Sequence, residues 1–184
     1  MRYRNSSNGY GAIPQFLHWL TVGLVLVAWT TGTFDDVLPK GAARAAGMFV
    51  HNTAGLTILV ALVLRLLWRA ADPPPPTEPT VLGKWLDRAG ALAHYALYAL
   101  LIGVVVAGIM LQFARGNALS VFGLFEIPSP WPADRAFSRL VKDAHELLAN
   151  GLILLAGFHA IAALVHHWLF RDRTLVRMLP GSLR

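Results

Sequence analysis

The chain has 184 residues, 55% of them hydrophobic and 14% charged, with a formal net charge of +6 and no cysteine. An average soluble domain is nearer a quarter charged. The absence of cysteine excludes disulfides, thiolate metal sites, iron–sulfur clusters and covalent C-x-x-C-H haem attachment. The length suits one domain, 1–184, and the apolar excess makes an integral membrane protein the first class to test.

In chain order, the first apolar run predicts a helix over residues 13–34. Arg2 and Arg4 precede it, but the run is long, carries His18, Trp19 and Trp29, and lacks a small-residue cleavage site, so it reads as a retained helix rather than a signal peptide. A second helix is predicted over 45–70, followed by the stiff, polyproline-like connection "ADPPPPTEP". A third is predicted over 85–113. The outer loop "FEIPSPWPADRAFSRLVKD" follows, in which prolines end helix three and Ser138 or Asp143 starts helix four, over 140–170. Each run holds the roughly 20 residues that a bilayer core requires, and the four nearly exhaust the chain. The expected fold is an all-α membrane protein, a bundle of four transmembrane helices.

Basic residues set the topology. Arg2, Arg4, Arg65, Arg69, Lys84, Arg88, Arg171, Arg173, Arg177 and Arg184 fall on one face, against Asp72, Glu78, Asp87 and Asp172. On the other face Lys40, Arg44, Arg115, Arg135, Arg139 and Lys142 are matched by Asp35, Asp36, Glu126, Asp134, Asp143 and Glu146. The whole surplus lies on the first face, which predicts both termini in the cytoplasm. The charge therefore orients the chain and implies no nucleic acid.

Ionisable residues inside a span are costly and point to function. His145 and His159 share one face of helix four and lie about 21 Å apart along its axis, too far to serve one metal. His51 lies at the outer depth of His145, and His18 at the inner depth of His159. A lone intramembrane histidine serves as readily as a polar bridge or a proton path. Two imidazole pairs at two depths instead match two bis-histidine haems held between the helices of a bundle, whereas zinc or copper would gather three or four ligands at one depth. Gly47, Gly55, Gly151 and Gly157 are expected to make room, and each second ring nitrogen to find a backbone carbonyl one turn back on its own helix.

The sequence resembles the bacterial dihaem cytochrome b561 family, in particular its short, stand-alone members that oxidise superoxide. The likeness covers nearly the whole chain and rests on "QFLHWL", "FVHNTAGLTILVALVLRLLWR", "LAHYALY", "RGNALSVFGL" and "DAHELLANGLILLAGFHAIAALVHHWLFRDRTLVRMLP". It implies two b-type haems, on His51 with His145 and on His18 with His159. It also implies a multi-pass protein of the bacterial inner membrane that takes electrons from superoxide on the periplasmic side and delivers them to ubiquinone.

Bis-histidine iron has no open position, so superoxide would react outer-sphere, steered by a local cluster of cations. The candidates for steering or for pairing with propionates are Arg115, Arg135, Arg139 and Lys142, with Lys40 and Arg44. His94, His166 and Arg69, with Trp68 as a weaker neighbour, are the quinone candidates, because histidine titrates near neutral pH and can hydrogen-bond a quinone carbonyl. His166 lies on nearly the same face as His159, whereas His167 points about 100° away and suits the water boundary. The competing reading is a non-catalytic carrier that links a dehydrogenase or periplasmic redox partner to the quinone pool. A haem-free transporter or channel is disfavoured, since the spans are clean apart from histidine.

Overall fold

A computed structural model describes residues 2–78 and 83–180. Pro79 of the proline-rich connection and Arg184 of the basic face lie outside the described residues.

Four long helices carry the fold: α1 (Ala12–Thr33), α2 (Ala42–Ala71), α3 (Lys84–Ala114) and α4 (Arg135–Val165). All four are long and apolar enough to cross a membrane, α4 together with the turn that extends it to Phe170. At most 22% of the residues in the most apolar window of any span are buried. Side chains such as Leu26, Leu154 and Phe158 point outward, an arrangement that lipid accommodates and water does not.

The helix ends follow local chemistry. Pro14 sits in the first turn of α1, where its missing N–H has no helical partner to lose. The proline run from Pro73 stops α2. A Schellman turn closes α3: the Gly116 N–H reaches the Phe113 carbonyl at 2.8 Å, the Asn117 N–H reaches that of Gln112 at 3.1 Å, and Gly116 takes the positive φ (74°) that the motif needs.

The start of α4 differs from the expectation of Ser138 or Asp143. Asp134 is the cap, its Oδ1 accepting from the N–H groups of Ala136 (2.8 Å) and Phe137 (3.0 Å). Ser138 and Asp143 lie inside the helix, because a carboxylate directly after Pro132–Ala133 satisfies the free N–H groups earlier. The preceding loop also contains an unexpected hairpin, β1 (Leu119–Val121) with β2 (Phe125–Ile127). Phe122 and Gly123 both have positive φ at its turn, as a type I′ connection requires.

The chain divides into two compact units. The first comprises Met1–Thr21, Ala61–Tyr98 and Leu154–Arg184; the second comprises Val22–Val60 and Ala99–Ile153. Each draws a segment from all four helices.

In the first unit the terminal segments are pinned by polar contacts. Asn5 donates its backbone N–H to Asp72 and its side-chain amide to the carbonyls of Asp72 and Pro73. The buried Arg177 donates to the Pro76 carbonyl (2.9 Å) and pairs with Glu78 (3.1 Å). Trp19 donates from Nε1 to the Met178 carbonyl. In the second unit, Trp29 of α1 donates to the Asn150 side chain of α4 at 3.0 Å.

Candidate functional site

In the second unit His51 of α2 and His145 of α4 face each other, with ring centres 6.0 Å apart. The His51 Nδ1–H donates to the Ala28 carbonyl of α1 (2.8 Å), and the His145 Nδ1–H donates to the Val104 carbonyl of α3 (2.9 Å). A carbonyl can only accept, so each Nδ1 carries the proton and each Nε2 keeps a free lone pair. All four helix segments thus build one site, two presenting rings and two holding them. The acceptors are on neighbouring helices, not one turn back as expected; each carbonyl serves its own helix with one lone pair and the facing ring with the other.

The glycines closest to the rings are not among those expected, whereas Gly55, which is, does line the space beside them. A Cβ at Gly32 would lie 2.8 Å from His51 Cε1 and 2.9 Å from Nδ1, and one at Gly108 would lie 3.1 Å from His145 Cε1. These two glycines admit the rings to their carbonyl partners. A Cβ at Gly47 would meet Leu38, one at Gly151 would only touch Leu100 at 3.9 Å, and Gly55 and Gly157 have nothing within 4 Å. Gly55 instead opens onto a cavity of about 560 Å³, which both rings line.

In the first unit His18 of α1 and His159 of α4 have ring centres 6.4 Å apart, and His94 of α3 lies 5.2 Å from His159. Two imidazole nitrogens at about 2 Å on opposite sides of one metal are about 4 Å apart, which puts the ring centres about 6 Å apart. The His51–His145 and His18–His159 spacings fit this. The His94–His159 spacing is a direct edge contact. No group of three or more histidines or carboxylates among the described residues is arranged to hold a metal ion. The donor set, two neutral imidazoles per site with a cavity beside one of them, fits a planar macrocycle with two axial ligands.

The remaining candidates separate by position. Arg115 and Lys142 line the cavity, together with Asp35, Asp36 and Glu146. Lys142 pairs with Glu146 at 2.5 Å, and Arg44 lies against Asp35 (3.9 Å) and Asp36 (3.5 Å). Arg115 is exposed and, among the described residues, unpaired. Arg135 borders a separate shallow depression beside Trp131, and Arg139 and Lys40 are exposed and line neither. The expected cationic cluster is therefore reduced to Arg115 and a neutralised Lys142, because the acids beside them were close enough to pair.

Arg69 is exposed in the last turn of α2, and Trp68 donates to Asp72. His166 opens a wide π-type turn, His166–Phe170, that ends α4, and Arg171 then adopts a left-handed conformation (φ 55°). That reversal brings Asp172 back under His166, whose Nδ1–H donates to Oδ2 at 2.5 Å. The His167 ring lies 6.4 Å from that of Trp168, tilted by 50°.

Asp172 is not among the expected site residues; the signal available was its place six residues after His166, across a helix end. Burial pushes its carboxyl up, but hydrogen bonds from His166 and Thr174 outweigh this and hold it below the ordinary carboxylate value. A lowered folded value contributes stability above the unfolded one, and this is lost as pH falls through the folded value. The melting-temperature gap between the native chain and Asp172→Asn is therefore expected to hold near neutral pH and shrink below about pH 4. Thermal unfolding in detergent across pH checks it; a gap that stays constant into acid would exclude the ionised pair.

The description "prokaryotic cytochrome b561" applies to a family that matches residues 9–181. A protein of Yersinia pestis named probable superoxide oxidase CybB is 32% identical over 171 residues, 93% of this chain and 96% of that one. Cytochrome b561 homolog 2 of Escherichia coli K12 is 32% identical over 99% of this chain and 97% of its own. Cytochrome b562 of Cereibacter sphaeroides is 30% identical over 93% of this chain and 95% of its own.

Proposed function

We propose, from the premise that this chain belongs to the prokaryotic cytochrome b561 family of electron-transfer membrane proteins, that it is a superoxide:ubiquinone oxidoreductase of the bacterial inner membrane with both termini cytoplasmic. Its ligands are His51 with His145 for one b-type haem and His18 with His159 for a second. The observation that carries this is the matched spacing of the two imidazole pairs, 6.0 and 6.4 Å. Haem b, when bound by two imidazoles, supplies a one-electron iron couple with no open coordination position.

The protein's residues supply the rest. Ala28 and Val104 hold the His51 and His145 rings in one tautomer and make Nε2 more basic. Arg115 places a cation at the cavity for the superoxide anion. Two superoxide ions each lose one electron and leave as dioxygen, and one ubiquinone takes both electrons with two protons. His166, oriented by Asp172, hydrogen-bonds a quinone carbonyl, and Arg69 and His94 are the further candidates on the same unit.

Superoxide added to the purified protein with a soluble ubiquinone analogue is expected to give quinol without any partner. Arg115→Ala is expected to lower the second-order rate about tenfold and flatten its salt dependence, while Glu146→Gln raises it. An unchanged salt dependence in Arg115→Ala would remove the steering role.

A second reading is favoured by Asp35, Asp36 and Glu146, which line the same cavity and repel an anion. It makes the chain a non-catalytic carrier between a cationic redox partner or a dehydrogenase and the quinone pool. Quinol formation that requires such a partner would select it.

A further inference from the structure

Arg65 stands on α2 within a candidate span, half-buried. Among the described residues no carboxylate pairs with it, and its contact is the face of Tyr98, 5.4 Å from the ring centre. Three of the four acids assigned to the same face are engaged elsewhere: Glu78 by Arg177, Asp172 by His166, and Asp72 by Asn5 and Trp68. A guanidinium cannot shed its proton, and a charge inside a span needs an opposite charge.

Tyr98 lies one turn along α3 from His94, whose ring centre is 5.2 Å from that of His159, so Arg65 stands beside this cluster and its field reaches the rings of His18, His94 and His159. It also reaches the half-buried Tyr10 phenol, as do the fields of Arg177 and Arg69. Burial pushes the Tyr10 pKa up despite those cations, so the phenol stays a neutral donor. A fixed cation whose field reaches the imidazole pair, with an O–H donor inside that same field, is complementary to a carboxylate.

We propose that Arg65, assisted by the Tyr10 hydroxyl, binds a propionate carboxylate of the haem held by His18 and His159. The inference rests on the ligand assignment above and adds to it the counter-charge of that haem. A cation beside the propionate offsets its negative charge and so favours the reduced iron.

The test uses the full-length protein purified in detergent, in a His145→Ala background that retains only the first-unit haem, and reads its optical redox titration. Arg65→Leu is expected to move the midpoint downward, changing the oxidised-to-reduced ratio at a fixed potential about tenfold. Tyr10→Phe is expected to move it the same way by about twofold. Arg65→Lys, which keeps the charge, is expected to restore most of the shift.

Loss of the haem from Arg65→Leu in protein that otherwise folds also supports the proposal. An unchanged midpoint in both Arg65→Leu and Tyr10→Phe overturns it and leaves Arg65 to another anion, such as a lipid phosphate. A His159→Ala protein that keeps its full haem complement would instead overturn the ligand assignment, so the two failures are distinguishable.

Discussion

His145→Ala is expected to lower the haem content from two to one per chain, with the surviving spectrum that of the His18–His159 haem. The reason is local. On the proposed ligation His145 is one of two donors at its site, and no third histidine or carboxylate among the described residues is placed to replace it. Its ring is positioned by the Val104 carbonyl on α3, and alanine removes donor and anchor together. Superoxide-driven quinone reduction is expected to fall at least about a hundredfold, the loss of roughly 3 kcal/mol of stabilisation. His159→Ala is expected to remove the other haem and leave this one. Pyridine haemochrome absorbance gives the count, and low-temperature α-band spectra give the identity. If either variant keeps both signatures, or loses the partner's, the pairing is wrong.

Gly32→Ala should damage the same site without touching a ligand. The new Cβ would lie 2.8 Å from His51 Cε1 and 2.9 Å from Nδ1, and the ring cannot retreat without losing its 2.8 Å hydrogen bond to Ala28. Overpacking of this kind costs about 1–3 kcal/mol, equivalent to roughly a 5- to 150-fold loss of haem affinity.

Two other glycines frame the result. Gly23→Ala, on the same helix, meets nothing within 4 Å and should be neutral or slightly stabilising. Gly55→Ala also meets no protein atom, yet its Cβ would enter the cavity lined by both rings. It should leave the apoprotein as stable as before and lower haem loading only when a macrocycle fills that space. Haem titration of the purified apoproteins, followed by thermal melts, separates the three. Equal loading by Gly32→Ala and Gly23→Ala would show that the ring adapts and that the close approach has no consequence.

The spans and the depth of each histidine were legible from the chain alone. Length, apolarity and the near absence of charge are properties of contiguous sequence, and a helix converts residue number into height and azimuth with little freedom. That is why His145 and His159 on α4 could be separated by depth, and why His51 and His18 could be matched to them as neighbours before any coordinates. Family resemblance then supplied the chemistry that spacing leaves open.

What surrounds each ring depends on which residue of another helix comes near, and that is a property of packing. Ala28, Val104, Gly32 and Gly108 carry no sequence signal, since a backbone carbonyl or a missing side chain looks the same at every alanine, valine or glycine. The same holds for charge. In the sequence Arg44 and Lys142 are steering candidates on a face of balanced charge, and the structure sets Asp35, Asp36 and Glu146 against them, whereas Arg65, one inner arginine among several, has no carboxylate paired with it among the described residues. At the end of α4 the sequence by itself placed two histidines near the expected inner boundary and set only His166 on the face of His159. Only the tertiary structure gives His166 a carboxylate partner, because the left-handed turn at Arg171 folds Asp172 under it and leaves His167 against Trp168.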